Sequence, residues 1–117
     1  MPGDEHAEHV DLDRVDPFDV VRALADRTRF SIVQELWRTP EKACGTFDVD
    51  VAPSTLTHHF SVLREAGLIQ QRREGNRKMT TLRTADLDAR FPGLLRALLE
   101  PPDREPPDGD PRSRPAV

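Results

Sequence analysis

Apolar residues in the first third of the chain recur at helical spacing in two segments. The first segment opens with Asp16-Pro17, an N-cap residue followed by proline at the first helical position. Its apolar positions are Phe18, Val21, Leu24 and Ala25. The second segment ends near Thr39-Pro40, and its apolar positions are Phe30, Ile32, Val33, Leu36 and Trp37. The pattern therefore predicts two helices in succession.

Residues 41–50 carry conflicting signals. Ala43, Phe47 and Val51 are spaced as the buried stripe of one short helix, whereas Gly45 and the aspartates favour a partial loop. Both interpretations stay open, and the expected element order places one short helix here.

The clearest helical pattern in the chain begins at Pro53-Ser54. Ser54 is a residue type that caps free backbone N–H groups, and Gly67 follows the segment where a left-handed C-cap favours glycine. An apolar stripe with i, i+4, i+7 spacing connects the two ends and consists of Leu56, Phe60 and Leu63. We expect this stripe to anchor the helix to the core.

A β-hairpin is predicted directly after this helix. Leu68-Ile69 and the alternating residues up to Glu74 form one strand, Gly75-Asn76 is a tight-turn signal, and Arg77 to Leu82 returns as the second strand. A last helical region is interrupted at Pro92-Gly93. Its apolar residues are Leu87, Phe91, Leu94, Leu95, Leu98 and Leu99.

This order of elements predicts a mainly α fold with a small β-hairpin, the winged helix-turn-helix plan. The folded domain is expected over residues 16–100. Residues 1–15 form an acidic segment expected to be flexible, and residues 101–117 hold six of the eleven prolines and are expected to be disordered.

Composition narrows the class of protein. The chain has 117 residues, of which 36% are hydrophobic, and no apolar run approaches the ~20 residues of a membrane span. The acidic N-terminus is unlike a signal peptide, and a single cysteine, Cys44, fits a reducing compartment, so a cytoplasmic location is expected. Cys44 is either a small buried side chain or a thiol sensor. Side chains arranged for catalysis are not evident, so no enzyme is predicted.

The net charge of -4 conceals a segregated distribution. Residues 1–19 carry seven acids against Arg14, whereas residues 54–83 carry six bases against Glu65 and Glu74. One basic block therefore lies between two acidic ends, which fits a local phosphate-binding surface. Opposite the apolar stripe, the capped helix displays Thr55, Thr57, His58, Ser61 and Arg64, and the hairpin displays Arg72, Arg73, Arg77 and Lys78.

Three stretches resemble the ArsR-type winged-helix repressors. The run from Ala23 to Leu36, ALADRTRFSIVQEL, resembles that family's opening "ALADPTRRRIL". Residues 54–69, STLTHHFSVLREAGLI, resemble its recognition helix and exit "S-x-x-S-x-H-L-x-x-L-x-x-A-G-L", and residues 72–78 are similar to its "R-x-G-R" wing. The resemblance spans roughly Phe18 to Leu99.

The resemblance implies a homodimeric repressor that binds double-stranded DNA at a palindromic operator and releases it when an inducer binds. The implied DNA contacts are Ser54, Thr55, Thr57, His58, His59, Ser61, Arg64, Arg72, Arg73, Asn76, Arg77 and Lys78. Because adjacent histidines on a helix point in different directions, His58 is favoured to face DNA. The implied dimer interface is Phe18, Val21, Phe91, Leu94, Leu95, Leu98 and Leu99.

The chain departs from the metal-sensing members of that family. They carry a cysteine pair before the recognition helix, where this chain has only Cys44 with Asp48 and Asp50, and residues 84–100 contain no histidine. We therefore expect no metal and no cofactor, and a small-molecule inducer stays unassigned. The alternative function is a winged-helix protein-interaction module, which would have no need for four basic residues on the hairpin.

Overall fold

The computed structural model describes residues 7–8 and 10–100, and its architecture is a winged helix-turn-helix. The helices are α1 (Pro17–Leu24), α2 (Arg27–Arg38), α3 (Pro53–Glu65), α4 (Thr84–Arg90) and α5 (Leu94–Leu99). The strands are β1 (Ala7–Glu8), β2 (Glu41–Ala43), β3 (Ile69–Glu74) and β4 (Arg77–Leu82), and two short 3-10 turns lie at Leu12–Arg14 and Cys44–Thr46. The predicted fold class is confirmed.

Aspartates begin the first two helices. Asp16 Oδ1 accepts from the Phe18 N–H at 3.0 Å and Pro17 occupies the first helical position, as predicted. Asp26 Oδ2 accepts from the Arg29 N–H at 3.0 Å, a cap that the apolar pattern alone did not reveal. Each carboxylate satisfies a backbone donor that has no partner within the helix.

The start of α3 differs from the prediction and its end agrees with it. Ser54 does not cap the helix, because Pro53 already fits the first helical position and the capping position passes to Ala52. At the other end Gly67 has φ +84°, and the Leu68 N–H donates to the Leu63 carbonyl at 3.0 Å. This left-handed C-cap turns the chain directly into β3.

The short helix expected over residues 41–50 does not form. Residues 41–43 instead pair as β2 with β4, with Glu41 opposite Thr81 and Ala43 opposite Met79. One 3-10 turn follows, and Phe47 is buried with its ring 5.4 Å from that of Phe60 in an edge-on contact. The backbone N–H and C=O groups of this segment pair with β4, so they are not available for hydrogen bonds within a helix.

The hairpin lies inside a four-stranded antiparallel sheet with strand order β1-β3-β4-β2. Its register pairs Ile69 with Leu82 at the base and Glu74 with Arg77 at the tip, and Gly75 adopts φ +65° in the predicted turn. The base is buried and the tip is exposed, so the hairpin projects from the domain as a wing.

The core extends further toward the N-terminus than the predicted boundary at Asp16. Leu12 and Val15 are buried, and the Arg90 side chain donates from Nε to the Leu12 carbonyl at 3.1 Å and from Nη2 to the Val15 carbonyl at 3.0 Å. Arg83, directly after β4, donates from Nη1 to the Val10 carbonyl at 2.5 Å. These two arginines fasten residues 10–15 to α4 and to the base of the wing.

The flanking predictions fall largely outside the described residues. The predicted flexibility of residues 1–6 and 9 and the predicted disorder of the proline-rich residues 101–117 concern positions outside that range. Within the described part of the chain, no helix is both long and apolar enough to cross a membrane.

Candidate nucleic-acid interface

Helix α3 has one side that faces the core and one polar side that faces outward. Phe60 and Leu63 are buried, and Leu56 packs partly against the core, as the apolar stripe predicts. The outward side carries hydroxyl, imidazole and guanidinium groups. Ser54, Thr55, Thr57 and His58 are exposed, and Ser61 and Arg64 are half-buried.

His59 does not belong to that outward side and is removed from the predicted DNA contacts. It is only 9% exposed, its Nδ1 lies 3.1 Å from Arg29 Nη1, and its Nε2 lies 4.0 Å from Asp26 Oδ2. Because a guanidinium only donates, Nδ1 accepts and a neutral ring carries its proton on Nε2, toward Asp26. Neighbouring helical residues are about 100° apart, so His58 faces outward while His59 braces α3 against α2.

Arg29 holds this bracing cluster together. Its Nε donates to the Ala23 carbonyl at 2.7 Å, and its backbone N–H donates to Asp26. That backbone hydrogen bond, together with the charge of Arg29, lowers the pKa of Asp26 below its ordinary value. The cluster therefore ties the end of α1 and the start of α2 to the middle of α3.

A second cluster connects α3 to the wing. Arg64 Nη1 donates to Gln71 Oε1 at 2.8 Å, and Gln71 Nε2 donates to Thr80 Oγ1 at 3.1 Å and to Cys44 Sγ at 3.3 Å. Gln71 is 2% exposed and Thr80 is fully buried. Because both ends of the Gln71 amide are bonded, this network fixes the wing relative to the helix.

The wing concentrates its exposed polar groups at the tip. Arg73, Asn76 and Arg77 are exposed there, and Lys78 is half-buried. Arg72 lies lower on the strand, where it pairs with Glu41 of β2 and, at 3.3 Å, with Glu74. The predicted wing cations therefore fall into two groups. Arg73, Arg77 and Lys78 lie at the tip, whereas Arg72 lies lower on the strand and already pairs with two carboxylates.

The predicted dimer residues also divide into two groups. Phe18, Val21 and Leu98 are 62%, 55% and 43% exposed, whereas Phe91 and Leu94 are half-buried. Leu95 and Leu99 are buried in the core of their own protomer, which contradicts their placement in the interface. Leu95 and Leu99, four residues apart, share the inward side of α5, Leu94 packs partly against the core, and Leu98 is exposed.

The hydrophobic pattern did not reveal three supporting residues, Arg29, Gln71 and Glu41. Of these three, only Arg29 lies in a recognisable motif, the ALADRTR run. Gln71 and Glu41 act through contacts between segments that are distant in the sequence. Among the residues that the structure describes, no three His, Cys, Asp or Glu side chains come together in a group that could hold a metal ion.

Comparison with known proteins agrees with this geometry. A family model described as a helix-turn-helix domain matches residues 24–72. The uncharacterized HTH-type transcriptional regulator YceK of Bacillus subtilis (strain 168) is 32% identical over 82 residues, which cover 68% of this chain and 82% of that protein. The putative arsenical resistance operon repressor ArsR of Halobacterium salinarum is 38% identical over 69 residues, which cover 55% of this chain and 54% of that protein.

Solved structures with the same architecture include a bacterial protein from Vibrio cholerae. Reduced HlyU from Vibrio cholerae N16961 superposes with a TM-score of 0.56 at 25% sequence identity. The match covers 69% of this chain and 86% of that one.

Proposed function

The chain belongs to the ArsR-type winged helix-turn-helix transcriptional regulators, which bind DNA, and we propose that it acts as a homodimeric repressor of a palindromic operator. The observation that carries the proposal is the pairing of an outward polar side on α3 with a basic wing tip, both held by buried side-chain networks. The relative from Halobacterium salinarum is a putative arsenical resistance operon repressor, which supports repression as the direction of control.

In this proposal, helix α3 reads the DNA sequence and the wing adds affinity. Helix α3 has 13 residues, so it is about 20 Å long, and a helix fits the ~12 Å wide major groove. Short polar side chains such as Thr55 and His58 can approach base edges there. Arg73 and Arg77 at the tip would contact phosphates or the adjacent minor groove, which adds affinity without reading sequence.

Dimerisation would place two copies of α3 on one side of the DNA. The exposed apolar side chains Phe18, Val21 and Leu98 lie on α1 and α5, where a second copy would cover them. A two-fold axis through this surface requires two inverted half-sites, separated centre to centre by about one helical turn of DNA or a multiple of it.

The wing is tested by fluorescence anisotropy with DNA from upstream of the chain's own coding region, across a salt series. We expect Arg73→Ala with Arg77→Ala to weaken binding to operator and scrambled DNA alike. The slope of log K against log salt should fall by about 2, one for each lost phosphate contact. Arg38→Ala with Arg96→Ala, on α2 and α5, removes the same charge elsewhere. An equal loss from this control pair would show that net charge, not the wing, sets the affinity.

The helix is tested by the preference for operator over scrambled DNA. His58→Ala should reduce that preference by roughly 1–3 kcal/mol if the imidazole contacts a base. Equal losses on both DNAs would show that His58 only positions the helix. If the unmodified protein binds no DNA at low salt, the repressor proposal fails and the protein-interaction module takes its place.

A further inference from the structure

A cleft lies between α3 and the wing, and its cavity volume is about 540 Å³, within the range of small-molecule sites. We infer that this cleft binds a small organic anion with an apolar body, such as an aromatic carboxylate, and that the bound anion competes with DNA. Its apolar wall is Pro53, Leu56 and Phe60, and its polar wall includes Arg64, Gln71 and Lys78.

The charge of the cleft selects for an anion. Arg64 and Lys78 both line it, and none of the described residues that form its walls is acidic. Arg64 is held in place by its 2.8 Å bond to Gln71, which is itself anchored to Thr80 and Cys44. A guanidinium that is already oriented loses little conformational freedom when it meets a carboxylate, and this favours binding.

The apolar wall selects for an organic ligand rather than an inorganic ion. Phe60 is 5% exposed, and its ring is supported by the edge-on contact with Phe47, so this side of the cleft is a fixed surface. Phosphate or sulfate has no apolar part that could cover Phe60 and Leu56. A flat or chain-like hydrocarbon with one carboxylate fits both walls at once.

Competition with DNA follows from the position of the cleft and rests on the proposed function. Thr57, Ser61 and Arg64 line the cleft and also belong to the outward side of α3. An anion seated there puts negative charge and bulk where the DNA backbone would cross between the helix and the wing. Occupancy should therefore release DNA, which assigns a chemical class to the inducer.

The site itself is tested without DNA, by amide NMR titration of the full chain with 2-naphthoate and with its neutral analogue 2-naphthamide. We expect saturable shifts at Gly45, Ser61 and Gln71, and at least ten-fold tighter binding of the carboxylate. Equal affinity for the two compounds, or no saturable binding of 2-naphthoate, would overturn the proposal. Shifts confined to the separate cavity beside Trp37, about 440 Å³ in volume, would also overturn it.

Gly45 offers a variant that fills the cleft. It lines the cavity, and a Cβ built on it meets no atom of the described residues within 4 Å, so a larger side chain is accommodated. Gly45→Leu should weaken 2-naphthoate at least ten-fold, whereas Gly45→Ala should bind normally. Lys78→Gln gives a second test, because it should reduce the preference for 2-naphthoate over 2-naphthamide even if Gly45→Leu does not fold. Unchanged binding in both Gly45→Leu and Lys78→Gln contradicts the assignment.

The competition is tested by adding each compound to the protein–DNA complex. Saturating 2-naphthoate should raise the apparent Kd for DNA at least ten-fold, and 2-naphthamide should not change it. If 2-naphthoate occupies the cleft while DNA binding is unchanged, competition is refuted. If the protein binds no DNA at all, the proposed function fails, and the NMR titration still decides whether the cleft is an anion site.

Discussion

Replacing Gly67 with alanine tests how the exit of α3 is built. Gly67 has φ +84°, a conformation that costs an L-residue about 1–2 kcal/mol. An added Cβ would also lie 2.5 Å from Leu12 Cδ2 and 3.2 Å from Val15 Cγ2, and overpacking of this kind costs about 1–3 kcal/mol. Because the Leu12 methyl group ends a side chain that can shift, we expect Gly67→Ala to lower the free energy of unfolding by about 2–4 kcal/mol.

Two other glycines separate the two contributions. Gly75 has φ +65° and open space around its missing Cβ, so Gly75→Ala should cost only the conformational part, about 1–2 kcal/mol. Gly45 has open space and no positive φ, so Gly45→Ala should leave stability unchanged or raise it by a few tenths of a kcal/mol. In a Leu12→Ala background, the cost of Gly67→Ala should fall close to that of Gly75→Ala, with only the 3.2 Å contact to Val15 Cγ2 remaining.

Urea denaturation at one fixed protein concentration measures these differences, since association would make stability depend on concentration. In thermal melts, Gly67→Ala should lower Tm by roughly 10–25 °C, from about 4–8 °C per kcal/mol for a domain of this size. Equal losses for Gly67→Ala and Gly75→Ala would refute the steric contact with Leu12. Full additivity of Gly67→Ala and Leu12→Ala would refute it as well.

Two further predictions concern charge. The hydrogen bond from the Arg29 N–H lowers the pKa of Asp26, so its ionised form stabilises the fold above its ordinary pKa of 3.8, and that contribution is lost as pH falls through the lowered value. The stability advantage over Asp26→Asn, measured by urea denaturation from pH 7 to pH 3, should therefore shrink below about pH 4, and a constant difference would contradict this cause. Because Glu41 pairs with Arg72, Glu41→Gln should raise affinity for scrambled DNA by about two- to five-fold at low salt. Glu100→Gln, on the C-terminal side of α5, is the matched control, and an equal gain from it would exclude a specific role for Glu41.

Local signals account for the parts of the fold that the sequence pattern predicted. Asp16-Pro17, Gly67 and Gly75-Asn76 each act through backbone geometry within a few residues, so the start of α1, the exit of α3 and the hairpin turn were all anticipated. Strand β2, within residues 41–50, was not anticipated, because it forms only by pairing with β4, about forty residues later in the chain. Ala43 and Phe47 are spaced as they would be on one side of a helix, although neither residue lies in an α-helix.

The candidate interface was predicted in outline and corrected in detail. The apolar stripe of α3 showed which side of the helix faces outward. Such a stripe distinguishes two sides of a helix, but it does not show which other residues each side contacts. His59 meets Arg29 instead of solvent, and Leu95 and Leu99 meet their own core instead of a partner. The pairing of Arg72 with Glu41 joins residues 31 positions apart and depends on the sheet register.

The arginine contacts that hold residues 10–15 would transmit a rotation of α4 to the wing. Arg83 connects the end of β4 to the Val10 carbonyl, and Arg90 on α4 holds the Leu12 and Val15 carbonyls, so residues 10–15 link α4 to the base of the wing. The six residues of β3 span roughly 20 Å, so a rotation of about 5° at the base displaces the tip by about 2 Å. If Arg73 and Arg77 contact phosphates as proposed, a displacement of that size would break those hydrogen bonds, so a small rotation of α4 would be enough to weaken the proposed contact with DNA.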